Sequence, residues 1–219
     1  MSRILRAIGA AALAAFLLGQ APPELPLLVS DDFEAGSAAA WTPGDPARWR
    51  VGEAGGNHFY ELTAPGAAGP IRAPTSWSVL TKPEVSEFVL TGRLRCETDA
   101  ANIRRDMCVL FGFQDSTHFY YVHFSASSDA VHNVIALVNG SDRVKVNLEP
   151  EGKSIFRLTD KGWHDFKVVR EAGGRIAAYL DDMATPILTA RDTTLGRGKV
   201  GVGSFDDTGA FDDIRLRGR

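Results

Sequence analysis

Apolar and polar residues alternate with a period of two through most of the chain beyond residue 87. Glu87–Cys96, Met107–Gln114 and Phe119–Ser125 are rich in β-branched and aromatic residues and bounded by turn formers, which predicts strands. The same pattern predicts strands over His132–Asn139, Arg143–Leu148, Trp163–Glu171, Arg175–Asp181, Lys199–Phe205 and Phe211–Arg217. Gly173-Gly174 predicts a two-residue hairpin turn between the Trp163 and Arg175 strands. Asn139-Gly140-Ser141-Asp142 predicts another turn, and it also spells a glycosylation sequon. Residues 35–85 are rich in Gly, Pro and Ala, with Trp41, Trp49, Phe59, Tyr60 and Trp77 as packing points. Many strands, short turns and no long helical periodicity predict an all-β sandwich or barrel. No repeat of fixed period is present, which argues against a propeller.

The chain start adds a compartment. Arg3 and Arg6 precede an apolar run, Ile8 to Leu18, and Gly19 and Ala21 place small residues at a cleavage site. That predicts a signal peptide over 1–21, too short to anchor in a bilayer, and a secreted or periplasmic protein. Residues 22–30 read as a flexible, Pro-rich lead-in, and the domain is expected over 31–219. No later segment predicts a membrane span. A net charge of −3 argues against a general polyanion binder, so nucleic acid is not an expected partner. Cys96 and Cys108 are the only cysteines. An even pair in an oxidising compartment reads as a disulfide. Two cysteines alone do not make a structural zinc site.

Several segments together resemble the concanavalin A-like superfamily, which includes laminin-G-like domains and family 16 glycoside hydrolases. They are Asp31-Asp32-Phe33-Glu34 with Trp41 and Trp49, residues 109–115 running into 119–122, residues 162–168 with 173–181, and residues 198–203 with 211–216. The 3-keto-disaccharide hydrolases are similar in fold. The resemblance implies a two-sheet antiparallel jelly-roll sandwich that meets an oligo- or polysaccharide on its concave sheet. It also implies a structural Ca²⁺ site with Asp212 as side-chain ligand and Asp32 or Glu34 contributing, since oxygen ligands suit Ca²⁺. The family 16 motif Glu-x-Asp-x-x-Glu is not matched. The nearest segment, Glu97 to Asn102, ends in an amide and lies in a loop, whereas a retaining mechanism needs two carboxyls about 5 Å apart.

A candidate ligand face follows if Cys96 and Cys108 bridge neighbouring strands. Leu94 then lies opposite Leu110, Gly92 opposite Gly112, and Gln114 opposite Phe119. Alternation sends Val109, Phe111, Phe113, Tyr120, Val122 and Phe124 to the core. The other face carries Leu110, Gly112, Gln114, Tyr121 and His123. It extends through His132, Arg143 and Lys145, with Asn133 at its rim and Arg93 and Arg95 as neighbours. As a binding face, Tyr121 stacks on a sugar ring while Gln114, His123, His132 and Asn133 hold hydroxyls. Arg143 and Lys145 favour an anionic group. As an enzyme, a polysaccharide lyase or glycoside hydrolase, the face uses His123, His132 or Tyr121 as base or acid. Glu97, Asp99, Asp106 and Asp129 are loop acids beside it. His118, His123 and His132 form a further conceivable metal set. His58 and His164 read as ordinary loop and strand residues. A structural or adhesive module is the third class the pattern allows.

Overall fold

The computed structural model describes residues 24–150 and 158–219. Residues 1–21, read as a signal peptide, lie outside them. Strands, numbered in chain order, form two antiparallel sheets. The eight-stranded sheet runs β13 (Leu188–Arg191), β12 (Arg175–Leu180), β11 (His164–Arg170), β6 (Phe88–Cys96), β15 (Gly209–Gly218), β4 (Asn57–Leu62), β3 (Trp49–Ala54). β1 (Leu27–Asp31) adds to the second half of β15. The seven-stranded sheet runs β10 (Val144–Lys145), β9 (Val134–Asn139), β8 (His118–Ser125), β7 (Asp106–Asp115), β14 (Lys199–Ser204), β5 (Ser76–Leu80), β2 (Trp41–Pro43).

The sheets face one another across an apolar core. β6 contributes Phe88, Leu90 and Leu94 while Val89, Thr91, Arg93 and Arg95 point outward, the alternation of a strand with one covered face. Val109, Phe111, Tyr120, Val122 and Phe124 meet them from the other sheet. Each such side chain contributes roughly 1.5–3 kcal/mol on burial.

β7 and β8 are buried on both faces. A second apolar cluster, with Leu110, Phe113, Phe119, Tyr121, Val134, Ala136, Val138 and Phe205, lies on the outer side of the seven-stranded sheet. Segment 63–75 covers it. Ile71 and Ala73 pack on the cluster. The Arg143 N–H donates to Arg72 O (3.0 Å), the Arg72 N–H to Asp142 Oδ1 (2.7 Å), and Thr75 Oγ1 to Phe205 O.

Five expectations are corrected. The cysteines are not bonded. β6 and β7 follow one another in sequence but lie in different sheets, with Cys96 in the inter-sheet core and Cys108 in the outer cluster. The Leu94–Leu110 and Gly92–Gly112 pairings are therefore absent; Leu94 pairs with His164 and Phe211, and Leu110 with Gly201 and Tyr121. Gly112, at φ 58°, sits in a bulge between Phe111 and Asp115, which sends Phe113 to the outer cluster instead of the core. Residues 143–148 form only the two-residue β10, with Val144 and Leu148 exposed at the sheet edge. Leu27–Asp31, expected within a loose lead-in, is paired as β1.

Candidate functional site

The outer face of the seven-stranded sheet is not an open platform, because segment 63–75 covers its middle. At one end the cover stops and a cavity of about 380 Å³ opens. Arg72, Arg104, Asp106, His123, Asp129, Val131, His132, Arg143, Phe205 and Asp206 line it.

Strand geometry builds the floor. Asp106 and Cys108 stand two residues apart on β7, on one face, and Cys108 pairs directly with His123 of β8. Asp106, 3% exposed, takes His123 Nε2 at 3.1 Å on one oxygen. Its other oxygen accepts from Ser204 Oγ (2.8 Å) and the Phe205 N–H (3.0 Å). Burial alone would raise its carboxyl, but the His123 ring and these hydrogen bonds together hold it below the ordinary carboxylate range. Burial, with the Asp106 carboxylate, pushes the Cys108 thiol well up. His123 Nδ1 is buried with no hydrogen-bond partner.

Loops build the walls. The connection between β8 and β9 is folded back by Asn133, a left-handed residue (φ 51°) whose amide ties the Ser125 N–H and the carbonyls of Ser125 and Ser127. That turn presents His132, whose Nδ1 meets Asp129 at 2.8 Å. Burial opposes ionisation of Asp129, and the Val131 N–H and His132 outweigh it, so its carboxyl is lowered. The His123 and His132 rings lie 5.4 Å apart, each backed by its own aspartate. The guanidiniums of Arg72 and Arg143 lie 4.9 and 4.6 Å from the Phe205 ring centroid. Arg72 also pairs with Asp206 at 3.3 Å. Among the described residues, Arg104 and Arg143 have no carboxylate within ion-pair distance.

Of the expected face residues, His123, His132 and Arg143 come together here, with the loop acid Asp129 and with Asp106, which starts β7 instead of lying in a loop. Tyr121 is wholly buried under the cover, its hydroxyl near Arg143, and offers no ring for stacking. Asn133 is buried and shapes the loop rather than lining the cavity. Gln114 is exposed beside the β7–β8 turn, and Lys145 sits on edge strand β10; neither lines the cavity. Arg93 and Arg95 belong to the other sheet, where Arg93 pairs with Asp212 and Asp213, and Arg95 with Glu97. Asp99 caps its own loop through the Ala101 N–H. His118 is five residues before His123 on β8, about 16 Å away along the strand. It binds Asp115, so the three-histidine set does not assemble. His58 meets Glu34 and His164 meets Asp181.

Among the described residues, Asp32, Glu34 and Asp212 do not form a group of three donors mutually within reach of one ion. Asp212 is buried against Arg93 and Asn57, and Glu34 holds His58. Among the described residues, the one group of three metal-capable side chains with mutually close donor atoms is Asp106, Cys108 and His123. Sequence reasoning missed Arg72, Arg104, Val131, Phe205 and Asp206 as lining residues, all from loops or a strand end. Arg72 carried no signal within a Gly- and Pro-rich stretch.

The fold is a lectin-like jelly-roll β-sandwich. No protein-family model matches the chain, and no curated protein sequence matches it. Among solved structures it is similar to the carbohydrate binding module CBM66 from Bacillus subtilis, at 17% identity and a TM-score of 0.57, over 81% of this chain and 95% of that one. Domain 4 of AbnA, a GH43 extracellular arabinanase from Geobacillus stearothermophilus solved with arabinotriose, matches at 8% identity and a TM-score of 0.55, over 90% and 94%. A Bacillus subtilis protein of unknown function with a galectin-like fold matches at 11% and 0.54, over 89% and 97%. At these identities the likeness establishes the fold alone.

Proposed function

We propose that this chain is an exported carbohydrate-binding domain of the concanavalin A-like type, and that the cavity takes the end of a saccharide bearing a carboxylate or sulfate. The observation that carries the reading is the pair of guanidiniums, Arg104 and Arg143, facing the cavity without a protein carboxylate. Guanidinium groups bind planar anions bidentately and gain most where the site is partly dry. His132, Asp129 and Asp206 supply the donors and acceptors that vicinal hydroxyls need. Ligand cavities span about 300–1,000 Å³, so 380 Å³ suits a chain end rather than a long stretch of polymer. Phe205 is 2% exposed and Tyr121 is covered, so recognition runs through charge and hydrogen bonds rather than ring stacking. The neighbours' recorded carbohydrate binding supports the class of ligand. Among the described residues no helix is long and apolar enough to cross a membrane.

The test is calorimetric titration of the full chain with matched acidic and neutral oligosaccharides at two ionic strengths. Uronate- or sulfate-bearing ligands bind, and more weakly as salt rises. Equal binding of the neutral isosteres, or no saccharide binding at all, overturns the reading.

One observation favours a second reading. Two carboxylate-backed imidazoles 5.4 Å apart are an acid–base pair in geometry, suited to proton abstraction and leaving-group protonation in β-elimination from a uronate. Growth of absorbance near about 235 nm from an unsaturated uronate product tests it.

A further inference from the structure

We infer that Asp106, Cys108 and His123 form a binding site for one zinc-type divalent metal ion at the floor of the cavity. Their donor atoms lie within 4.8 Å of one another, and all three side chains are buried. Two contacts fix the scale: His123 Nε2 to Asp106 Oδ2 is 3.1 Å, and Cys108 Sγ to Asp106 Oδ1 is 3.9 Å. Around a tetrahedral ion with metal–O and metal–N near 2.0 Å and metal–S near 2.3 Å, adjacent ligand atoms stand about 3.3–3.5 Å apart. The His123–Asp106 contact is near that spacing, and the Cys108 contact, to the other Asp106 oxygen, is somewhat wider, so a small side-chain adjustment brings the three donors around one ion.

The donor set selects the ion. One sulfur, one imidazole nitrogen and one carboxylate oxygen suit Zn²⁺ or Co²⁺ and not Ca²⁺ or Mg²⁺, which take oxygen. A thiolate and a carboxylate together neutralise a dication, so the buried site closes without net charge. The carboxylate is already oriented by Ser204 Oγ and the Phe205 N–H, the outer support that coordinating carboxylates carry. His123 Nδ1 is buried without a partner, so no bond to it stops the ring from carrying its proton there and offering Nε2, the nitrogen facing Asp106, to the ion. Asp106 and His123 line the cavity and Cys108 does not, so the fourth position faces the cavity. Three protein ligands with one open position is the arrangement in which zinc polarises a bound water or ligand oxygen. Metal binding does not depend on the saccharide reading. It adds to that reading a Lewis acid that a sugar hydroxyl or carboxylate completes.

The experiment uses the full chain, stripped with chelator and titrated with Co²⁺ and then Zn²⁺ without saccharide. The expected result is one ion per chain, a thiolate-to-cobalt charge-transfer band with tetrahedral d–d absorption, and Zn²⁺ binding at a Kd of about 1 μM or tighter. Cys108→Ala loses the band and weakens Zn²⁺ at least ~100-fold. Cys96→Ala, on the other side of the sheet, keeps both. If Cys108→Ala misfolds, His123→Gln and the wild-type cobalt spectrum decide. Sub-stoichiometric uptake, a spectrum lacking the thiolate band, or equal binding by Cys108→Ala overturns the inference. Saccharide titration of the stripped protein stands apart from this result, so either idea can fail alone.

Discussion

Asp106 organises the cavity floor, and replacing it separates two effects that burial usually merges. Its carboxylate, 3% exposed, receives three nitrogen or oxygen donors, Ser204 Oγ, the Phe205 N–H and His123 Nε2, beside the longer Cys108 thiol contact. Asp106→Ala strands all three in a buried place. At about 1–3 kcal/mol for each unmet donor, less what relaxation and entering water recover, the expected loss is roughly 3–5 kcal/mol. Asp106→Asn is different. Its amide oxygen occupies the position that accepts from Ser204 and Phe205, and its NH₂ faces His123. The imidazole answers by moving its proton from Nε2 to Nδ1, which remakes these bonds but leaves a buried Nδ1–H without an acceptor, so the loss is about 2–3 kcal/mol, below that of the alanine variant. Urea unfolding of the chelator-stripped protein at neutral pH measures both, with unchanged m-values licensing the comparison. Nitrogen-15 shifts of His123 report the tautomer: protonated Nε2 in the wild type, protonated Nδ1 in the amide variant. Asp106→Ala within 1 kcal/mol of wild type by this measure would refute the floor's dependence on the carboxylate. Equal losses for the two variants, or an unmoved tautomer, would refute the exchange.

Tyr120 donates to Asp192 at 2.5 Å and accepts the Leu195 N–H at 3.0 Å. Tyr120→Phe is expected to cost about 1–3 kcal/mol in chemical unfolding, because the buried Leu195 N–H loses its acceptor. Burial, with Asp192, pushes the Tyr120 hydroxyl up to about 12, so its stabilisation is full below the ordinary tyrosine range and is lost as pH rises through that value; ultraviolet titration checks the midpoint. Gly112→Ala places a Cβ 3.2 Å from both Arg170 Nη1 and the Tyr120 ring at φ 58°, and is expected to cost about 1–3 kcal/mol. Gly36→Ala, at φ 67° with nothing within 4 Å, costs less, and equal losses would show that backbone strain alone decides. The Thr117 hydroxyl, His118 and the Thr117 N–H lower the Asp115 carboxyl to about 2. Its contribution is present above the unfolded carboxylate value and is lost as pH falls through about 2. Carboxyl NMR shows this midpoint, and Thr117→Val raises it.

Most strands from β6 onward were legible, as period-two patterns in β6, β11 and β12 and as unbroken runs of β-branched and aromatic residues in β7 and β8; β13, four residues long, was not. β2 to β5 were not: they are short, and they run through Gly- and Pro-rich sequence in which Gly52 and Gly66 are space requirements, not turn signals. A Cβ at Gly52 would stand 2.7 Å from the Phe59 ring, and one at Gly66 2.1 Å from Thr75 O. The disulfide failed for another reason. An even cysteine count speaks of compartment, and nothing in a twelve-residue spacing says that the chain crosses between sheets from β6 to β7. Gly112 was read as an ordinary strand position on the outer face, whereas its positive φ marks a bulge that re-aims Phe113.

The side on which His123 and Arg143 stand was readable from alternation alone, yet where a ligand meets that side was not. A signal for it was present. Leu110, Phe119, Tyr121, Ala136 and Val138 are apolar on the side opposite Phe111, Tyr120, Val122 and Leu137, and a strand apolar on both sides has both sides covered. The middle of that face therefore had to be roofed, whatever the roof was. What water or a ligand reaches must lie where the apolar runs end, at Asp106, His123 and Arg143, and the loops that arrive there supply the rest of the wall. Arg72 and Arg104 are such arrivals. Their positions follow from the hydrogen bonds that pin segment 63–75 and the packing of the 97–105 loop, long-range contacts that no local periodicity encodes.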